Sequence, residues 1–174
     1  MLTKKRKLAD YLNIEDMTEN RIALFPGSFD PFTRGHESIV KRALGLFDEI
    51  IIAIGANALK DGYFTLENRE KMIRDVFIDF PMIRVDHYSG LTVDYAREVN
   101  AKFLLRGIRT ASDFEYERAI AQMNRSMYPD IDSVILFTSP EYTPINSTIV
   151  RDVIRNGGDA SAFIPEGIII ENYI

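Results

Sequence analysis

Five short runs rich in β-branched and apolar residues recur along the chain, and a segment with helical periodicity separates each run from the next. The runs are Arg21–Phe25, Glu49–Gly55, Met82–His87, Lys102–Leu105 and Ser133–Thr138. Near-continuous apolar strands are typical of parallel sheets whose two faces are both buried. The alternation therefore predicts an α/β domain, in which right-handed crossovers join the strands of one parallel sheet.

The segments between these runs carry helical signals of their own. The first has a single apolar stripe at helical spacing, formed by Ile39, Val40, Ala43, Leu44 and Phe47. Thr65 is a good N-cap for a second helix, a third is predicted over Thr92–Val99, and a fourth is expected to begin near Ser112 as its N-cap. The final part of the chain contains a loop, a helix at Ile149–Arg155 and a short tail of helical turns.

Composition and charge exclude several classes of protein. The 174 residues suit one compact domain, and the net charge of −5 argues against nucleic acid, whose binding needs a positive footprint. A small polyanion can still bind where basic groups line a cleft. No apolar run is long enough to span a membrane, and the absence of cysteine excludes disulfides and thiolate metal sites. We therefore expect a cytoplasmic protein with neither a nucleic-acid nor a membrane partner.

Residues 1–20 stand apart from the alternating pattern, so we predict an N-terminal extension followed by one domain at residues 21–174. The basic residues at positions 4–7 are followed by no apolar stretch, which argues against a secretory signal and favours a solvated helix face. Met17 leads directly into the first strand, and we hypothesise that it is the native start. The intact mass of the protein from its natural host tests this.

The segment Phe25–His36 joins the first strand to the first helix, which is where ligands bind in open α/β sheets. Gly27 lets the backbone approach a ligand closely, and Ser28 supplies a hydroxyl donor. His36 lies where the helix begins, so free backbone N–H groups and the helix dipole favour an anion there. Its imidazole is expected to donate a hydrogen bond to phosphate oxygens. A turn and a histidine without function are the alternative, but a Thr-x-Gly-His pattern directly after Gly-Ser-Phe-Asp-Pro favours the functional interpretation.

A second basic cluster follows the fourth predicted strand. Arg106 and Arg109 enclose a glycine, and their forked guanidinium donors suit a loop that grips phosphate. A pair of surface arginines is the alternative interpretation of the same residues.

A third polar cluster, Tyr142–Thr148, precedes the last predicted helix. Asn146, Ser147 and Thr148 are expected around the start of that helix, which would be another anion site. Simple N-capping, which needs only one of the three, is the plain alternative.

Several of these motifs together resemble a known family. The pattern Thr33–His36 resembles the (H/T)xGH signature of the nucleotidyltransferase superfamily. The motifs that resemble phosphopantetheine adenylyltransferases in order and spacing are Leu105–Arg109, Ser112–Glu117, Met123–Arg125 and Ser139–Tyr142. The resemblance covers about residues 21–165. It implies a Rossmann-like five-stranded parallel sheet of order 3-2-1-4-5 flanked by helices, in a single domain with a C-terminal helical tail. Strands 1 and 4 are neighbours in that order, so the His36 and Arg106 loops would face each other at the topological switch point.

The resemblance also implies an activity, the transfer of AMP from ATP to 4′-phosphopantetheine with release of pyrophosphate, a step of coenzyme A synthesis. By their positions in the family motifs, His36 and Lys60 would be catalytic. The acceptor would contact Ser28, Lys60, Thr92 and Arg106. The residues expected around ATP are Ser28, Phe29, His36, Gly107, Ile108, Arg109, Glu117, Tyr142, Thr143, Pro144, Ile145, Asn146, Ser147 and Thr148. Mg²⁺ is the expected cofactor, held mainly by phosphates and water. The family also implies a homo-oligomer, a hexamer.

Two other functions compete with this one. A related nucleotidyltransferase acting on nicotinamide mononucleotide or an alcohol phosphate would share the His36 loop, although the spacing from the Arg106 motif to the acidic motif argues against it. A non-catalytic nucleotide sensor on the same fold is the second, because fold does not fix function. A sensor of this kind would be expected to lack His36 or Lys60, and both residues are present.

Overall fold

The computed structural model of the protein describes residues 20–55 and 62–174. Two predictions therefore concern residues outside the described ranges. One is Lys60, and the other is the N-terminal extension with its hypothetical start at Met17, of which only Asn20 is described.

The five apolar runs form one parallel sheet, whose strand order confirms the expected 3-2-1-4-5 arrangement. The strands are β1 Ile22–Gly27, β2 Glu49–Gly55, β3 Ile83–Tyr88, β4 Phe103–Ile108 and β5 Asp132–Phe137. β1 lies between β2 and β4, which places the point of chain reversal next to the carboxyl end of β1. A ligand site is expected at this position in an open α/β sheet.

The fourth strand is longer than the sequence predicts. It continues to Ile108, and Arg106 and Gly107 pair with Ile135 and Leu136 of β5 instead of lying in a loop. The expectation of a phosphate-gripping loop at Arg106 is thus wrong in this detail, because only Arg109 follows the strand. The side chain of Arg106 projects from a hydrogen-bonded ladder, which is a more rigid support than a loop.

Five α-helices are described, together with two short 3₁₀ turns near the C-terminus. The helices are α1 Arg34–Ala43, α2 Leu66–Val76, α3 Thr92–Glu98, α4 Ala111–Met127 and α5 Ser147–Arg155, and the turns are Pro140–Tyr142 and Ile170–Tyr173. Thr65 caps α2 as expected, since its hydroxyl accepts from the Asn68 N–H at 3.2 Å. The predicted cap of α4 is wrong: Thr110, not Ser112, is the N-cap.

The sheet is buried on both faces, as its near-continuous apolar strands predict. Alternate residues of β2 point to opposite sides, so Ile50, Ile52 and Ile54 join one core while Ile51 and Ala53 join the other. The first core is covered mainly by α1, α2 and α5, and the second mainly by α3. Among the helices of the described ranges, none combines the length and the apolar character that crossing a membrane requires.

Candidate active site

A cleft of about 360 Å³ opens over the carboxyl ends of β1 and β4. It brings together most of the residues that the sequence placed around a nucleotide. Those that line it are Ser28, Phe29, His36, Gly107, Arg109, Ile145, Asn146, Ser147 and Thr148, and Arg106, predicted for the acceptor, lines it as well. The expected convergence of the histidine loop, the arginine cluster and the last polar loop is therefore present in the fold.

His36 is held by the helix start that contains it. It is the third residue of α1, and the backbone N–H of Thr33 donates to its Nδ1 at 3.1 Å, while the Thr33 hydroxyl caps the helix. Because Nδ1 accepts this hydrogen bond, the ring hydrogen of the neutral form lies on Nε2. The ring packs between Phe29, at a centroid distance of 5.1 Å, and Phe32, at 5.4 Å. The imidazole is therefore fixed in one tautomer and one orientation.

The surroundings of His36 keep it neutral. Burial of the ring is the largest of the causes that lower the pKa of the imidazole, and the positive charges of Arg109 and Arg106 act in the same direction; together they bring it to about 4. At neutral pH the ring thus presents an N–H donor without a positive charge. Such a group can stabilise negative charge on a phosphate oxygen by a hydrogen bond.

Phe29 makes a structural contribution that its sequence position does not reveal. Its φ of 46° is left-handed and its side chain is only 2 % exposed. The ring lies so close to Gly27 that a Cβ at residue 27 would come within 2.7 Å of it. Gly27 is thus required for the Phe29 ring to fit, as well as for the approach of a ligand.

Arg106 is held in place by a carboxylate on α4. Its Nε donates to Glu117 at 2.8 Å, its Nη2 donates to the second oxygen of the same carboxylate, and its Nη1 donates to the Pro26 carbonyl at 2.8 Å. Within the described part of the chain, these contacts engage three of the five N–H groups that a guanidinium carries. Two N–H groups therefore remain for a ligand.

Glu117 is one of the few buried charged residues, with 8 % of its surface exposed. The sequence predicts that it contacts ATP, but it does not line the first cleft, and its two oxygens both contact Arg106. In this structure Glu117 acts on the site through the guanidinium it orients. Direct contact with ATP stays a prediction.

Arg109 and the start of α5 close the far side of the cleft. Arg109 donates to the Ile145 carbonyl at 3.3 Å, and its own N–H donates to Asp113 at 3.0 Å. Asn146 is the N-cap of α5, accepting from the Ile149 N–H at 2.9 Å, so the capping interpretation is correct for this residue. The Ser147 hydroxyl donates to the Pro31 carbonyl.

The remaining residues predicted for ATP lie beside the cleft instead of lining it. Ile108 is a buried residue of β4, with 2 % of its surface exposed. Tyr142 ends the first 3₁₀ turn, and Thr143 and Pro144 follow it. Their contact with ATP remains a prediction.

A second, larger cleft of about 1170 Å³ adjoins the first and shares Ser28 and Arg106 with it. Thr92, predicted to contact the acceptor, lines this second cleft, and its hydroxyl lies 2.7 Å from the Tyr88 hydroxyl. Three of the residues predicted for the acceptor thus border the second cleft, while Lys60 falls outside the described residues.

Arg69 and Arg151 are residues of the site that the sequence analysis missed. Both line the second cleft, and Arg151 also lines the first. Arg151 lies four residues before Arg155 on α5. This spacing places both arginines on one side of the helix and was the sequence signal that could have identified Arg151. Arg69 stands between Asn68 and Glu70 as an ordinary helix arginine, so the sequence carried no signal for it.

The described residues offer little to a metal ion. Within residues 20–55 and 62–174, no group of three or more His, Asp or Glu side chains is arranged to hold one. The described residues that line the first cleft are basic, neutral polar or apolar, and none of them carries a carboxylate. This donor set suits a polyanion, and it does not fit a resident divalent cation held by the protein.

Fold and site together define a nucleotidyltransferase class of protein. Residues 24–153 match the family model described as cytidylyltransferase-like. The fold is also similar to that of a bifunctional NMN adenylyltransferase/ADP ribose pyrophosphatase from Francisella tularensis, solved in complex with AMP and a Mn ion. That likeness has a TM-score of 0.65 at 18% identity, and covers 86% of this chain and 46% of that one, so it concerns the fold alone.

Curated relatives narrow the class. The phosphopantetheine adenylyltransferase of Bacteroides thetaiotaomicron is 53% identical over 150 residues, which cover 86% of this chain and 99% of the relative. The phosphopantetheine adenylyltransferase of Azoarcus sp. is 43% identical over 150 residues, which cover 86% of this chain and 92% of that protein. The chain therefore belongs to the cytidylyltransferase-like family and, within it, to the phosphopantetheine adenylyltransferases.

Proposed function

We propose that the protein transfers AMP from ATP to 4′-phosphopantetheine, forming dephospho-coenzyme A and releasing pyrophosphate. The observation that carries this proposal is the meeting of His36 and Arg106 in the first cleft, whose border with the adjoining second cleft is formed in part by Arg106. One cleft suits a nucleotide and the other an acceptor, and Arg106 and Ser28 stand between them. The names of the relatives supply the identity of the acceptor.

The reaction needs positioning and charge stabilisation more than proton transfer. An oxygen of the acceptor phosphate forms a bond to the α-phosphorus of ATP, and the bond from that phosphorus to the bridging oxygen of pyrophosphate breaks. The nucleophile is already an anion, so no general base is required. A neutral His36, with its hydrogen on Nε2, donates a hydrogen bond to the α-phosphate as negative charge develops there.

The other side chains divide between the two substrates. Arg106, aimed by Glu117, holds the acceptor phosphate with its two remaining N–H groups, and Ser28 and Thr92 border the acceptor. Arg109, Gly107 and the residues 145–148 hold the ATP phosphates. Lys60, assigned to the transferring phosphate by resemblance alone, completes the set as an expectation from its sequence position.

Mg²⁺ enters this proposal as part of the nucleotide substrate, because the described residues that line the first cleft supply no carboxylate to hold a resident ion. Bound with ATP, the ion would offset part of the negative charge of the triphosphate. The protein contributes the arginines and the neutral imidazole.

We further infer a cytoplasmic homo-hexamer. An apolar stripe along α4 supports self-association: Tyr116, Ile120, Met123 and Met127 recur at helical spacing, and Tyr116 and Met123 are 67 % and 64 % exposed. An exposed stripe of this kind marks an interaction surface, and closed symmetric homo-oligomers are the usual way of covering one.

Pyrophosphate release tests the activity. The protein is supplied with ATP and Mg²⁺, and the acceptor is varied among 4′-phosphopantetheine, nicotinamide mononucleotide, an alcohol phosphate and none. Turnover with 4′-phosphopantetheine alone, and dephospho-coenzyme A among the products, is the expected result. Turnover with a different acceptor would contradict the proposal and would identify the protein as a related nucleotidyltransferase. Binding of ATP without turnover on any acceptor would favour a nucleotide sensor.

A further inference from the structure

Three arginines from three separate elements hold the backbone of the loop between β1 and α1. Each guanidinium donates to a main-chain carbonyl oxygen, and the three carbonyls belong to every second residue from the end of β1 into the loop. The pairs are Arg106 with Pro26, Arg69 with Ser28 and Arg151 with Asp30. The loop that carries the nucleotide-binding groups is thus fixed from β4, α2 and α5 at once.

Arg69 differs from the other two because, among the residues that the structure describes, it contacts main-chain oxygens and no carboxylate. Its Nη1 donates to Ser28 at 2.8 Å and its Nε donates to Thr65, in its own helix, at 3.4 Å. By contrast, Arg106 pairs with Glu117, and Arg151 lies 3.7 Å from the carboxylate of Asp30. Removing the Arg69 guanidinium would therefore leave no buried charge unpaired, and its effect can be measured separately from a loss of folding.

The contact at Ser28 determines where the next N–H group points. In a trans peptide the C=O and the N–H lie on opposite sides, so a guanidinium that holds the Ser28 oxygen also directs the Phe29 N–H to the other side. The left-handed backbone of Phe29 and the close packing of its ring against Gly27 limit any other orientation. Among the contacts of the described residues, the Phe29 N–H has no hydrogen-bond acceptor.

We propose that Arg69 is a positioning residue for the nucleotide: it holds the Ser28–Phe29 peptide so that the Phe29 N–H is presented to a phosphate oxygen of ATP. This rests on the proposed function only in that ATP is the ligand of the first cleft. Arg69 lines the second cleft and Phe29 lines the first. Arg69 therefore holds the Ser28–Phe29 peptide from the side of the second cleft, and the Phe29 N–H donates on the side of the first. A donor oriented before the ligand arrives needs no reorganisation during binding or reaction.

The test compares the affinity for ATP of the wild-type protein and three variants by calorimetry. Arg69→Met should weaken ATP binding by about tenfold or more, since one hydrogen bond to a charged phosphate loses its alignment. Arg69→Lys should recover part of the loss, because an ammonium group can donate to the Ser28 oxygen but not also to Thr65. Arg74→Met is the matched control on the same helix. Its guanidinium pairs with Glu70, it lines neither cleft, and ATP binding should be unchanged.

Steady-state kinetics and thermal unfolding separate positioning from a purely structural role. We expect Arg69→Met to raise the KM for ATP more than the KM for the acceptor, at temperatures where circular dichroism shows a folded protein. ATP affinity within about twofold of the wild type in a folded Arg69→Met variant would overturn the proposal. If that variant does not fold, Arg69→Lys decides: an affinity equal to the wild type would overturn the proposal, and a loss of about threefold would support it.

The two proposals fail in different ways. Wild-type protein that binds ATP but releases no pyrophosphate with any acceptor would contradict the proposed function, and the calorimetric comparison at Arg69 would still stand. An active wild type with unaffected Arg69→Met would contradict the positioning role alone.

Discussion

At the scale of single residues, His36 serves the helix and the cleft at the same time. Its Nδ1 accepts the Thr33 N–H at the start of α1, a place usually taken by the carboxylate or amide of a capping box. That contact leaves Nε2 as the donor, and burial together with the neighbouring arginines lowers the pKa of the ring so that it stays uncharged. The local structure therefore selects the form of the imidazole that the proposed chemistry needs.

Replacing His36 should lower turnover strongly. We expect His36→Ala to reduce kcat for pyrophosphate release by about 10² or more, the scale reported for the loss of one donor that stabilises developing charge. His87→Ala, at the only other histidine in the chain, is the control, because His87 contacts Glu70 and lines neither cleft. Near-normal kcat in a folded His36→Ala variant would remove His36 from the mechanism.

The charge state of His36 can be followed directly. In a His87→Gln background the one remaining imidazole is His36, and its NMR signals should stay those of the neutral Nε2–H form until the pH falls toward about 4. The folded-state pKa lies below the ordinary histidine value of 6.5, so the unfolded protein binds more protons between these two values. Stability from this residue is therefore present above that window and is lost as the pH falls through it. A titration midpoint near 6.5 would contradict the assigned environment.

At the scale of elements, the helix ends connect directly to the cleft. Thr110 and Asp113 form a capping box at the start of α4, and the same Asp113 accepts from the Arg109 N–H. The cap of α4 thus also steadies the backbone that carries Arg109. Ser112, the cap expected from the sequence, makes no capping contact because the helix begins one residue before it.

A pair of alanine variants tests this assignment of the cap. Thr110→Ala should lower the free energy of unfolding by about 1 kcal/mol, because the Asp113 N–H loses its acceptor. Ser112→Ala should change the free energy of unfolding by no more than about 0.5 kcal/mol, because Ser112 is exposed and does not cap the helix. Urea unfolding of both variants gives the comparison. A larger loss in Ser112→Ala than in Thr110→Ala would contradict the observed helix start.

At the scale of the whole molecule, the sheet is protected on both faces while one helix keeps apolar side chains in solvent. The stripe along α4 lies on the helix that packs on β4 and β5, at one edge of the sheet. Glu117 projects from the same helix toward Arg106. Because Tyr116 of the stripe also lines the second cleft, assembly through this stripe would place a subunit interface directly beside the proposed acceptor cleft.

Light scattering tests the assembly. We expect the wild type to have a mass of about six times 19.9 kDa, and Met123→Glu to reduce it because a charge would be buried in the interface. Ile78→Glu is the control, since Ile78 is 79 % exposed and follows α2 at the other end of the sheet. A monomeric wild type would contradict the hexamer, and an unchanged mass in Met123→Glu would show that the stripe is not the interface.

Much of this architecture was predictable from sequence, for local physical reasons. Apolar runs and helical stripes are set by neighbouring residues, and they led correctly to the parallel sheet and its helices. A cleft was also expected at the place where the first cleft lies, because ligands bind at the carboxyl ends of strands where the strand order reverses, and the binding of a nucleotide there stays a prediction. The strand order itself came from family resemblance, and the sheet confirms it.

Contacts between distant residues were decided only by the tertiary structure. Glu117 and Arg106 are eleven positions apart on a helix and a strand, and their bidentate pair depends on how α4 packs on β4. Arg69 reaches Ser28 across forty-one positions because α2 folds back beside the carboxyl end of β1. A sequence pattern records which groups can donate or accept. Which of them meet is determined by the crossovers that bring their elements within a few ångströms of one another.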